Sequence, residues 1–214
     1  MAGPHDGAHV LRAGTPLEKA RAAMILVHGR GASAADIITV GAELSHPDVA
    51  YLAPEAKGNA WYPHPFTAPL EENEPYLSSA LELLEKLLAE VTAHVARERV
   101  MFLGFSQGAC LTLEFAARHA ARYGGIIAFS GGLIGPDGTP RDYPGSFAGT
   151  PGFIGCSDVD PHIKKERVTE AGQVLGRMGM KVAVKLYPNM AHTVNADEIH
   201  SAAQILESVA HEVP

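Results

Sequence analysis

The feature that most constrains this chain is an alternation in which short, almost wholly apolar runs are separated by longer segments whose apolar residues recur every three or four positions. The runs at 22–27, 49–52, 100–103, 125–129, 152–155 and 182–187 are rich in aliphatic, β-branched and aromatic residues, so they read as strands. Most lack the in–out alternation of a half-exposed strand, which suits a mostly parallel sheet covered by helices on both faces. The stretches 33–45, 75–96, 107–121, 163–178 and 196–211 carry helical spacing. In the second of these, Leu77, Leu81, Leu84, Leu88 and Val91 form one apolar stripe and belong to the core. Strand and helix in turn define the α/β class.

With 214 residues, 46% of them hydrophobic and 19% charged, the chain has enough apolar surface for one substantial core, and a single domain over 1–214 is expected. A net charge of -7 with acidic and basic residues interspersed offers no polycationic face, so nucleic acid is not an expected partner. No run approaches the roughly 18 apolar residues of an integral membrane span, and residues 1–14 lack the apolar stretch of a secretory signal. A cytoplasmic location is expected. Cys110 and Cys156 fall in a helix start and a core strand, so they read as free thiols.

Gly104-Phe105-Ser106-Gln107-Gly108 has the pattern G-x-S-x-G. A serine on a tight strand-to-helix turn needs small neighbours because the flanking backbones approach closely, and the turn lifts its hydroxyl above the sheet. Here an apolar strand runs directly into the motif and a helical pattern leaves it, which is the context that gives the motif meaning. A serine hydroxyl also needs a base to accept its proton. Of eleven histidines, His192 is the best base, because it follows the 182–187 strand and lies in a loop just before the last helix, after the nucleophile in chain order. That helix opens on Asn195 with Glu198 three residues on, which resembles a capping box. His5, His9, His94, His119, His200 and His211 read as solvated or hydrogen-bonded structural residues.

An acid must orient the imidazole and stabilise the imidazolium that forms. Asp158 and Asp160 both follow the strand ending near Gly155; Asp160 is preferred, the other serving backbone N–H groups of the loop. His28-Gly29-Arg30-Gly31 follows the first strong strand, and such a turn can aim a backbone N–H at a developing oxyanion. The donors read as the N–H groups of Arg30 and Gln107, with His28 shaping the turn. The Arg30 side chain is either solvated or turned to an anionic substrate. Residues 53–75 hold five prolines with Trp61, Tyr62 and Phe66, and read either as a functional loop or as one pinned by its own aromatics. Trp61, Phe66 and Leu133 are candidate lining for the acyl site. There is no G-x-x-x-x-G-K-[ST], no H-E-x-x-H and no C-x-x-C, so no nucleotide, metal or other cofactor is expected.

With these motifs together, the chain resembles the phospholipase/carboxylesterase family of α/β-hydrolases, which includes acyl-protein thioesterases. The matching residues are His28-Gly29-x-Gly31, Gly104-Phe-Ser-Gln-Gly-Ala109, Asp160-Pro161-x-Ile163 and Met190-Ala-His192-Thr193, in the family's order over nearly the whole chain. The resemblance implies an α/β-hydrolase fold without a large cap domain. It also implies a triad of Ser106, Asp160 and His192, and oxyanion donors at Arg30 and Gln107. The Trp61-Tyr62-Pro63 stretch looks like the family's bacterial esterase branch. Arg30 stands where the family often has leucine, and Lys164 where it has proline. The expected activity is hydrolysis of small carboxylic esters or thioesters through an acyl-serine. A catalytically silent binding protein and an acyltransferase using the same residues are the alternatives.

Overall fold

The computed structural model describes residues 3–211. Among them the elements run β1 (Val10–Gly14), β2 (Ala22–Val27), α1 (Ala34–Glu43), β3 (Val49–Pro54), α2 (Tyr76–Thr92), β4 (Val100–Phe105), α3 (Gln107–Arg118), β5 (Gly125–Phe129), β6 (Pro151–Ser157), α4 (Lys165–Arg177), β7 (Lys181–Tyr187) and α5 (Ala196–His211). The strands form one seven-stranded sheet in the order β1-β3-β2-β4-β5-β6-β7. β1 is antiparallel to β3 and every other pairing is parallel.

The uninterrupted apolar runs are explained by two cores, one on each face of the sheet. In β2, Ala23, Ile25 and Val27 pack on the side of α2, α3 and α4, while Ala22, Met24 and Leu26 pack on the side of α1 and α5. β4 splits in the same way, with Val100 and Phe102 on one side and Met101 and Leu103 on the other. Both faces of these strands leave water, so neither can be polar. The α2 stripe is buried as its spacing requires, and Leu87 joins it.

The strand missing from the sequence reading is β1. Its five residues, Val-Leu-Arg-Ala-Gly, are half exposed at the sheet edge, and Arg12 at their centre pairs with Glu90 of α2 at 2.7 Å. Such a strand is too short and too polar to show as an apolar run. The opposite edge is β7, which is largely exposed and carries Lys181 and Lys185, charges that discourage pairing with another strand. The ends of the helices expected at 75–96 and 163–178 fall inside those bounds, at Thr92 and at Lys165 to Arg177.

This order decides where a ligand can bind. β2 lies between β3 and β4, so successive connections leave it to opposite sides, and a crevice opens at the carboxyl ends of β2 and β4. The turn 28–31 follows β2 and Ser106 follows β4.

Candidate active site

Ser106 sits between β4 and α3 with φ 55 and ψ -119, a backbone conformation that L residues adopt only when their surroundings enforce it. The flanking glycines supply that enforcement. A Cβ on Gly104 would overlap the backbone of Gly108, and one on Gly108 would overlap the carbonyls of Val27 and His28 at the end of β2. Helix α3 can therefore start against β2 only with glycine at both positions. The Ser106 N–H donates to Phe129 O at 2.9 Å, which ties the turn to β5.

The structure brings Ser106, His192 and Asp160 together. The Ser106 hydroxyl lies 2.9 Å from His192 Nε2, and His192 Nδ1 lies 2.6 Å from Asp160 Oδ2. With Nδ1–H donating to the carboxylate, Nε2 is left as the acceptor facing the hydroxyl. The Asp160 side chain is fully buried. Burial opposes its ionisation, yet the His192 hydrogen bond and the N–H groups of His162 and Ile163, at 2.8 and 3.0 Å from Oδ1, outweigh that cost and hold the carboxyl below its ordinary range. Asp158 takes the other role foreseen for this pair, accepting the Asn189 N–H at 2.8 Å and so anchoring the loop that carries His192.

The far end of that loop is held by the start of α5. Asn195 Oδ1 accepts from the N–H groups of Asp197 and Glu198, and the Asn195 N–H donates to Glu198 Oε2 at 2.9 Å, so the capping box forms with asparagine as the cap. Glu198 is completely buried, its Oε1 lacks a partner among the described residues, and burial pushes its carboxyl up to about 7. The rings of Phe105 and His162 lie 5.0 and 4.9 Å from that of His192 and confine it from two sides.

The turn after β2 is shaped by His28, as its position suggested. Nδ1 lies 2.8 Å from Gly29 O and Nε2 accepts from Ala56 N–H, while burial lowers the imidazole's proton affinity. A Cβ on Gly29 would stand 3.5 Å from that of Ser106, so this turn closes directly over the serine. The backbone N–H groups of Arg30 and Gln107 carry no hydrogen bond among the described residues. Their side chains are committed elsewhere. Gln107 Oε1 accepts from Trp61 N and Nε2 donates to Tyr62 O. The Arg30 guanidinium donates to the carbonyls of Tyr62, Pro63 and His64 at 2.8 to 2.9 Å, so it is neither merely solvated nor turned toward an anion.

These residues open onto a cavity of about 710 Å³, lined by Gly29, Arg30, Tyr62, Pro63, Pro65, Phe66, Phe105, Ser106, Gln107, Cys110, His162, Ile163 and His192 among others. Phe66 lies where it was expected. Trp61 and Leu133 do not. Trp61 is fully buried beneath the wall, its indole N–H donating to His28 O at 2.8 Å, and it fixes the loop instead of facing the cavity. Leu133 is likewise fully buried, and its carbonyl accepts from Arg167 at 2.7 Å. Tyr62, Phe105, His162 and Ile163 were given no lining role in the sequence, although each lies within a recognised motif or the aromatic loop. Cys110 and Cys156 are free and buried, and burial pushes both thiols up to about 12. Among the described residues no cluster of three His, Cys, Asp or Glu is placed to hold a metal ion, and no helix is long and apolar enough to cross a membrane.

A mostly parallel sheet with helices on both faces, a serine on a glycine-flanked elbow and a histidine–aspartate pair on later loops define the α/β-hydrolase class. The chain belongs to its phospholipase/carboxylesterase family, whose model matches residues 11–210. A solved phospholipase/carboxylesterase from Dyadobacter fermentans is 41% identical and superposes with a TM-score of 0.90, over 98% of this chain and 99% of that one. Acyl-protein thioesterase 1 of Saccharomyces cerevisiae is 26% identical over 92% of this chain and 96% of its own length. The match to the Debaryomyces hansenii acyl-protein thioesterase 1, 27% identical, spans 60% of this chain and about half (56%) of that protein.

Proposed function

We propose that the protein is a serine hydrolase that cleaves carboxylic esters or thioesters through an acyl-enzyme at Ser106. The observation that carries this reading is the continuous hydrogen-bonded path from Ser106 Oγ through His192 to Asp160 at the edge of the cavity. In this reading, His192 Nε2 takes the hydroxyl proton as Ser106 Oγ bonds to the acyl carbon. The negative charge then develops on the former carbonyl oxygen between the N–H groups of Arg30 and Gln107, the latter at the positive end of α3. Collapse breaks the bond to the alcohol or thiol, which leaves with the proton from His192. Water then gives its proton to the same histidine and attacks the acyl carbon, releasing the acid and restoring the serine. Asp160, ionised and buried, stabilises the imidazolium at each stage.

The mostly apolar wall of Tyr62, Pro63, Pro65, Phe66 and Ile163 favours an uncharged acyl chain. The family and the named relatives support ester or thioester hydrolysis. The test is turnover of p-nitrophenyl esters together with labelling by a fluorophosphonate probe. Ser106→Ala is expected to abolish labelling and to lower kcat by about 10⁴-fold or more. Folded wild-type protein that neither labels nor hydrolyses any ester would overturn the reading.

A further inference from the structure

One side of the cavity is formed by Tyr62, Pro63, Pro65 and Phe66 of a proline-rich strap, 61–66, that is neither helix nor strand. Pro63 and Pro65 have no N–H, so the strap cannot satisfy its carbonyls by pairing with itself. Each carbonyl is met from outside. Trp61 O lies 3.0 Å from His5 Nε2, Pro65 O accepts from Ala68 N and Asn73 Nδ2, and Phe66 O accepts from Gly135 N. The three between them, on Tyr62, Pro63 and His64, all accept from Arg30, and for Pro63 and His64 it is the sole donor among the described residues.

The same arginine belongs to the turn that closes over Ser106. That turn is also held to Asn59, two residues before the strap, by Gly31 N–H to Asn59 O at 2.7 Å and Asn59 Nδ2 to Ala32 O at 2.9 Å. Gln107, the other residue assigned an oxyanion N–H, also grips the strap through both atoms of its amide. We propose that the Arg30 side chain is a positioning residue that locks the acyl wall and the oxyanion turn into one rigid unit. The proposal rests on the hydrolase reading above. It assigns the guanidinium a structural reach into two functions: where the Arg30 N–H points when charge develops, and how far the wall stands from Ser106.

Pro63 and His64 are exposed residues, so water can serve their carbonyls when the guanidinium is removed. The loss therefore falls on geometry more than on folding. Oxyanion donors act only in the transition state, so their displacement lowers kcat while leaving KM nearly unchanged. A wall free to move also discriminates less between short and long acyl chains.

The test compares wild type, Arg30→Met and Arg30→Lys on p-nitrophenyl acetate through octanoate, with Ser106→Ala as the control. Trp61 is the sole tryptophan and sits at the head of the strap, so acrylamide quenching of its fluorescence reports the strap directly. Arg30→Met is expected to lower kcat by about 10-fold or more, with KM for the acetate ester within about twofold, a flatter chain-length profile and stronger quenching. Arg30→Lys, which keeps one charged donor, is expected to fall between. Wild-type kcat, profile and quenching in Arg30→Met would overturn the proposal. Should Arg30→Met not fold, an unchanged kcat in Arg30→Lys would do the same. In either event Ser106-dependent turnover by the wild type leaves the hydrolase reading standing, whereas turnover that survives Ser106→Ala removes it.

Discussion

Replacing Glu198 by glutamine isolates the energetic consequence of burying a carboxyl under the site. The side chain is completely buried against Gly155 of β6, Oε2 accepts from Asn195 N–H, and Oε1 has no partner among the described residues. Burial is the largest cause of the rise in its pKa from 4.5 to about 7. Between those values the native state holds a proton that the unfolded chain has released. Stability therefore falls as the pH rises through this window, and the full cost is present above about 7. At about 1.4 kcal/mol per tenfold change in proton affinity, that cost is at most about 3.5 kcal/mol. Glutamine keeps an oxygen for Asn195 and cannot ionise, so Glu198→Gln is expected to be more stable than wild type at pH 8. For a chain of this length the gain corresponds to at most about 7 to 14 °C in Tm. Below pH 5 the wild-type carboxyl is neutral in the native state and the gain is expected to shrink toward zero. Asp160, whose depressed pKa costs stability only at lower pH, is common to both proteins and cancels in the difference. Thermal melts of the pair at pH 5 and pH 8 decide the matter. A Tm difference independent of pH, or a less stable variant at pH 8, would refute the reasoning.

The remaining predictions separate the cavity from the core. Leu133→Ala is expected to destabilise the fold by about 2–5 kcal/mol in urea unfolding while leaving the acyl chain-length profile as it is, because the side chain lies outside the wall. Phe66→Ala removes a ring that lines the cavity and is backed by the Arg167 guanidinium at 5.2 Å, and it is expected to shift the profile toward longer or bulkier acyl groups. Gly108→Ala puts a methyl group into the carbonyls of Val27 and His28, backbone atoms at the end of central strand β2 and in the turn that follows it, which cannot yield. Insoluble expression or a loss of more than about 3 kcal/mol is expected.

The sheet and the grouping of Ser106, Asp160 and His192 were legible because each rests on a local pattern. Strands covered on both faces must be apolar throughout, so β2 to β6 stand out as runs; β1, with Arg12 on a half-exposed edge, has no such signature. The elbow is legible because close backbone approach restricts two positions to glycine. Both aspartates follow the same strand, and Asp160 was preferred; the structure separates them by partner, His192 for Asp160 and the Asn189 N–H for Asp158. Trp61 and Leu133 were misplaced for one physical reason. Large apolar side chains near a site are needed both to line it and to support it, and composition does not distinguish the two. His5 lies 56 residues before Trp61 in sequence, yet its ring contacts the Trp61 carbonyl, a pairing that no local pattern predicts.

The strap shows where a physical rule would have taken the reading further. Prolines delete donors and leave acceptors, so a segment with prolines at 63 and 65 carries more carbonyls than it can pair, and some other part of the chain must supply N–H groups. An arginine in the turn that meets this segment is the residue type best able to do so, because its planar fork spans several acceptors at once. Arg30 and the prolines of the strap are then two halves of one arrangement. Lys164 lies just before α4 in a segment tied to Asp160 by the N–H groups of His162 and Ile163, so the loop holds that carboxylate through its backbone.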